Sequence, residues 1–183
     1  MTQEDKLVRF LRSEIEPISD GYSKKAYRAS AYLRDGTYLP CVVFRQMSDI
    51  VELAIRRIAD TKSEKEEDWY NYQMVIRSFV ATTNRVAFYD VARIEKSPYA
   101  LPVSILKKVL EAGETHMSWI SFVGVMNDSK QFDFGSTYHV EFFDMPEGYT
   151  AECIVDVIPH RSVGSQMFRE KPYFNCFVDA YWS

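Results

Sequence analysis

An α+β fold is predicted by three observations. Tyr27, Ala29, Ala31 and Leu33 alternate along one run, and Phe174, Cys176, Val178, Ala180 and Trp182 do so near the C-terminus, interrupted by Phe177, the period of two that marks strands. Two segments, Glu4–Glu16 and Asp49–Asp60, carry apolar residues at helical spacing instead. Turn sequences separate the β-patterned runs at hairpin distance, Asp35-Gly36 being the clearest because both residues tolerate positive φ. The expectation is a single, mostly antiparallel sheet of roughly seven to nine strands in hairpins, with roughly two to four helices packed on one face. The 183 residues suit one globular domain, 1–183.

In chain order, Leu7, Val8, Phe10, Leu11 and Ile15 give an amphipathic N-terminal helix over 4–16, stopped by Pro17. The Tyr27–Leu33 run, Asp35-Gly36 and the apolar run Leu39–Phe44 form a hairpin. Ser48 caps a helix from Asp49 to Asp60 with Ile50, Leu53, Ala54 and Ile58 turned inward. These elements make a ββα unit over 27–60. A second unit is expected over 70–112. Leading into it, Ser63 and Glu66 match a capping box, and Trp69, Tyr72, Ile76 and Phe79 have helical spacing. The β-branched and aromatic content before Thr82-Thr83-Asn84 favours a hairpin with Val86–Ile94. Pro98 and Pro102 lead into a helix over Val103–Glu111, closed by Gly113. The C-terminal part, 116–182, is β-rich: Met117–Met126 turns at Asn127–Lys130 to pair with Thr137–Phe143, followed by Glu152–Ile158 and the final strand.

Composition narrows the function. A net charge of −4 and a pI near 5.5 are the wrong sign for counterion-release binding of nucleic acid. The local run Lys24, Lys25, Arg28 and Arg34 is expected to be a solvated face. Three cysteines, Cys41, Cys153 and Cys176, without a Cys-x-x-Cys, point to buried free thiols. A polar N-terminus and no apolar run of membrane-spanning length give a cytoplasmic expectation with no membrane partner. Phosphate loops, Rossmann glycines and a Gly-x-Ser-x-Gly elbow are absent from the sequence, and no cofactor is expected.

Two His-x-Ser pairs, His116-Met117-Ser118 and His160-Arg161-Ser162, are the nearest approach to repeated chemistry. They resemble the pattern of the two-histidine phosphoesterases. The resemblance implies strand-borne pairs facing across a cleft, one imidazole as base, the other as acid, and the hydroxyls on phosphate. In that arrangement His116, Ser118, His160 and Ser162 would be catalytic and no metal would be needed. Arg161 departs from the apolar residue expected there, and the pairs stand closer together in sequence than is usual for the family. A weaker set is His139 and Glu141, two apart on one strand face, joined by Asp156 or His160 to hold a metal.

The reading given precedence is a small acidic binding module of the immunity-protein, antitoxin or inhibitor type, occupying a protein partner of basic character. Glu64, Glu66, Glu67 and Asp68 run into Trp69, Tyr70 and Tyr72, so carboxylates that steer encounter adjoin aromatics that dominate hot spots. Glu66, Glu67, Asp68, Trp69, Tyr70 and Tyr72 are the expected docking residues. The phosphodiesterase is the alternative, and a small-molecule domain with an aromatic pocket, drawn from twelve Phe, twelve Tyr and three Trp, is the third option.

Overall fold

A computed structural model describes residues 2–60, 84–137, 139–159 and 167–179. Among them three α-helices and nine strands follow the order α1 (Gln3–Glu14), β1 (Ala26–Leu33), β2 (Tyr38–Gln46), α2 (Met47–Asp60), β3 (Arg85–Ala87), β4 (Val91–Lys96), α3 (Val103–Ala112), β5 (Ile120–Met126), β6 (Gln131–Ser136), β7 (Ile154–Pro159), β8 (Phe168–Arg169) and β9 (Phe174–Val178). The α+β class holds, and the single antiparallel sheet does not. There are two mixed sheets, one ordered β3-β9-β2-β1-β4 and one ordered β7-β5-β6-β8.

The first ββα unit forms as its sequence indicates. Strands β1 and β2 pair antiparallel from Ala26↔Arg45 to Tyr32↔Tyr38, and Gly36 turns between them at φ +90°. Helix α1 opens with a reciprocal cap: Thr2 Oγ1 accepts from the Asp5 N–H and Asp5 Oδ2 accepts from the Thr2 N–H. Its Leu7, Val8, Leu11 and the following Ile15 close over Tyr27, Ala29, Ala31, Val42, Phe44, Ile94 and Cys176.

Residues 86–94 do not form one strand. A 3₁₀ turn at Phe88–Asp90 splits them into β3, which pairs with β9, and β4, which pairs with β1. These strands lie at opposite edges of the sheet order. Four strand spacings laid flat span roughly 19 Å, whereas Ala87 to Val91 can reach at most about 14 Å. The sheet is therefore curled towards a barrel, with α1 over its inner face. The arm expected at 70–80 lies outside the described residues.

Strand β9 runs parallel to both neighbours, and β8 runs parallel to β6. Hairpins cannot produce this. The chain leaves after β4, builds the second sheet, and returns to slot β9 between β2 and β3 by a long crossover. In the second sheet, β5 pairs with β6 rather than with the expected Thr137–Phe143 run, whose described residues form no strand of the sheet. Phe122 and Phe134 stack at 5.2 Å, with Phe143 edge-on to both. This aromatic core continues through α3 to Ala26, Cys41 and Val43, the outer face of β1–β2. Both faces of the first sheet are thus covered. Among the described residues no helix is long and apolar enough to cross a membrane.

Candidate functional site: a buried arginine pair and the cleft beside it

The outer face of β1–β2 alternates Ala26, Arg28 and Ser30 on one strand with Cys41, Val43 and Arg45 on the other. Because Ala26 lies opposite Arg45 and Arg28 opposite Val43, the two arginines are diagonal neighbours on one face. Arg28 is 4% exposed and Arg45 3%. The run expected to be a solvated basic face thus has a buried arginine at its centre, because the second sheet covers that side of β1.

Arg28 reaches the second layer through backbone carbonyls. Its Nη1 donates to Glu141 O at 3.0 Å and its Nη2 to Leu101 O at 2.6 Å. Its Nε and Glu141 Oε2 are both buried without a hydrogen-bond partner among the described residues. Burial lowers the Arg28 pKa to about 10, with the Glu141 carboxylate opposing the shift. Arg45 is compensated directly: Nε and Nη2 each lie 2.7 Å from Asp20 Oδ2, and Nη1 donates to Asn175 Oδ1. Its guanidinium also packs over the rings of Tyr22, at 5.3 Å, and Tyr173, at 5.9 Å. Burial raises the Tyr173 pKa, Glu141 adding to the effect and Arg45 countering it.

The Arg45–Asp20 pair sets the loop before β1. Asp20 Oδ1 accepts from the N–H groups of Tyr22 and Ser23. Asp49 on α2 takes the other side, with Oδ2 at 2.7 Å from Ser23 Oγ and 3.0 Å from the Lys24 N–H that it accepts. A buried ion pair seldom stabilises a fold on balance, because desolvating both charges offsets their attraction. Its effect here is geometric: it fixes Ser19–Lys24 as one wall of an open cleft of about 480 Å³. Asp49, Glu52 and Arg56 of α2 form the opposite wall.

The residues singled out by sequence fall as follows. His116 and Ser118 sit on a tight exposed turn, closed by hydrogen bonds between His116 and Trp119, not on a strand. Met117 is 91% exposed and Ser118 adopts φ +57°. His160 and Ser162 lie outside the described residues, as do Glu66, Glu67, Asp68, Trp69, Tyr70 and Tyr72. His139 and Glu141 do meet, Nδ1 to Oε2 at 3.9 Å, with the imidazole edge-on to Tyr173. Asp156 is engaged elsewhere, with Lys108 of α3. Among the described residues no three His, Cys, Asp or Glu side chains gather as a metal site would need.

Sequence reading missed Asp20, Tyr22, Arg28, Arg45, Asp49 and Tyr173. One signal was available. Arg28 and Arg45 fall in phase with Ala26, Cys41 and Val43, so the period of two places charges on a face that is otherwise apolar. No protein-family model matches the chain, and no match to it is found among curated proteins or solved structures.

Proposed function

We propose that this chain is a non-catalytic binding module that docks a protein partner on the cleft between the Ser19–Lys24 loop and α2. The observation that carries this reading is the surround of the cleft. On α2, Val51 is 47% and Ile55 63% exposed, one turn apart and each beside a cleft residue, Glu52 or Arg56. Across from them Tyr22 is 49% exposed on the fixed loop, its ring against Arg45. Exposed aliphatics, a tyrosine and an arginine around a preorganised concavity have the composition of an interface core. Holding the loop rigid in advance lowers the entropy lost on association.

The volume also suits a small ligand. The lining is mostly charged and hydrophilic, however, unlike the aromatic pocket of the small-molecule option. The phosphodiesterase option has the first of its two pairs on an exposed turn where the family pattern requires a strand.

The test is photo-crosslinking in cells from a benzophenone side chain placed at position 55, with position 38 on the first hairpin as control. One discrete adduct from position 55, absent from position 38, is expected. Ile55→Glu in the purified chain should change stability by no more than about 0.5 kcal/mol, as an exposed position does, while abolishing co-purification of the crosslinked protein. Equal adducts from both positions, or none from position 55, would sink the reading.

A further inference from the structure

We infer that the surface along the cleft is an interface for a second copy of this chain, with the two α2 helices packed antiparallel about a twofold axis. This rests on the docking reading above and goes further, by naming the partner.

The charges around the cleft favour neither sign. Arg45 cancels Asp20, and Asp49 and Glu52 balance Lys24 and Arg56. The basic partner expected from Glu64–Asp68, which lie outside the described residues, gains nothing at this surface, and an acidic one gains nothing either. What the surface has is order without excess. On α2 the acid Glu52 stands one turn before the base Arg56, both exposed and both at the rim of the cleft. Beside them Val51, Ile55 and Ala59 recur every four residues and are exposed as well. Residues four apart share a helix face, so an apolar stripe runs next to a pair of charges that reads acid, then base.

A twofold axis crossing α2 level with Ala54 makes this face complementary to itself. In an isologous contact residue i meets j while j meets i. With the helices antiparallel, Glu52 comes level with Arg56 of the second copy, and Arg56 with its Glu52. Val51 then stands about 3 Å along the axis from Ile55 of the second copy, two residues of helix rise, so the two stripes cover each other. Two ion pairs thus arise from a neutral face, because the order of charges reverses when the helix does. A parallel arrangement would set like charges together, which opposes association. Tyr22, across the cleft, adds an exposed aromatic at the margin. Helix α2 has 14 residues, a length of about 21 Å. A face of that length falls short of the ~1,600 Å² that a standard interface buries, so a dimer of micromolar affinity is expected.

The experiment is sedimentation velocity of the full chain over roughly 1 to 200 μM, a range that brackets a micromolar Kd. A monomer–dimer equilibrium is expected, and Ile55→Glu should abolish it. Glu52→Arg and Arg56→Glu each set like charges against one another and should weaken the dimer about tenfold. Mixed together, those two variants should associate at least as well as the parent chain, because each presents the sign that the other lacks. The double variant Glu52→Arg with Arg56→Glu restores opposite charges across the axis and should return to within about threefold of the parent. Circular dichroism of each variant establishes that it is folded. A chain that stays monomeric throughout, or a dimer indifferent to Ile55→Glu, would overturn the second copy as occupant. So would a dimer that needs Ile55 but whose two charge variants associate no better mixed than apart. The crosslink from position 55 separates this failure from that of the docking reading. An adduct of twice the chain mass is expected. One discrete adduct of any other mass would overturn the second copy and leave docking at the cleft standing, and no adduct would overturn both.

Discussion

On the inner face of the β1–β2 pair, Tyr27, Ala29, Ala31, Val42 and Phe44 meet the aliphatic side of α1. On the outer face the alternate residues meet the second sheet, and two of them are arginines. Both faces are buried and both belong to the same strands, yet one is held by area and the other partly by charge. The inner face has no orientation to specify beyond close packing. The outer face must seat a separate sheet with β9, Tyr173 and the Ser19–Lys24 loop in one arrangement. Directional bonds from Arg28 and Arg45 supply that at a desolvation cost. The contrast separates what stabilises the fold from what positions its surface.

The contrast predicts that equal damage can be done to the two faces but repaired on only one. Phe44 is fully buried on the inner face, and Phe44→Ala should cost about 3–5 kcal/mol, the loss of transfer energy plus a cavity. Arg28→Ala should cost a similar amount, about 3–5 kcal/mol, because it strands the Glu141 and Leu101 carbonyls inside the protein and removes the charge beside the half-buried Glu141 carboxylate. The double change Arg28→Met with Glu141→Gln removes both charges and should recover the share of that loss due to charge. Urea denaturation of the single and double variants measures this. A double variant no more stable than Arg28→Ala would show that the outer face needs its charges for stability as well as for geometry.

Alkaline stability probes both regions at once, because each holds one buried thiol. Cys41 lies in the core between the sheets and Cys176 in the core under α1. Burial raises both thiol pKa values to about 12. A raised acid pKa makes a contribution that is present below the unfolded value, about 9, and is lost as pH climbs from there towards 12. Between pH 9 and 10, where the unfolded thiol goes from half to about nine-tenths ionised, each should remove about 1 kcal/mol, so together about 2 kcal/mol. Arg28, with its lowered pKa, works in the opposite direction only above about pH 10, so the slope is best read between roughly pH 9 and 10. Replacing one cysteine by Ala should halve it. An unchanged slope would mean that alkaline unfolding is governed by other groups.

Local structure was legible where neighbouring residues decide it. Helix α1, the Asp35-Gly36 hairpin, α2 and α3 each follow from spacing and turn chemistry, although α2 begins at Met47 and so takes in Ser48, the residue expected to cap it. The division into two sheets was not read, because it depends on the long return of β9. A clue lay in Leu39–Phe44, an unbroken apolar run where a half-exposed strand would alternate, as a strand covered on both sides must be. The candidate site was less legible. His116 and Ser118 share a strand face only if the chain there is extended, and the turn at Ser118 prevents it. The cleft is assembled from residues 19–24 and 49–56, whose charges look solvent-facing in sequence. Only the fold shows that Asp20 and Asp49 are spent on holding the loop.

The smallest effect tests that last point. Asp49 touches the loop only through Ser23 and the Lys24 amide. Removing a partly exposed pair of such bonds should cost about 1 kcal/mol of global stability. The informative change is local. In Asp49→Ala the amide of Lys24 loses its acceptor while that of Ser23 keeps Asp20. Hydrogen exchange should therefore accelerate at Lys24 well beyond what the global loss accounts for, and much less at Ser23. Docking of a partner on the cleft should weaken through the entropy of ordering a freed wall. If exchange at both amides rises equally, and only by the amount of global destabilisation, the loop is held by the Arg45–Asp20 pair alone. The polar outer face of the first sheet would then be sufficient by itself to shape the cleft.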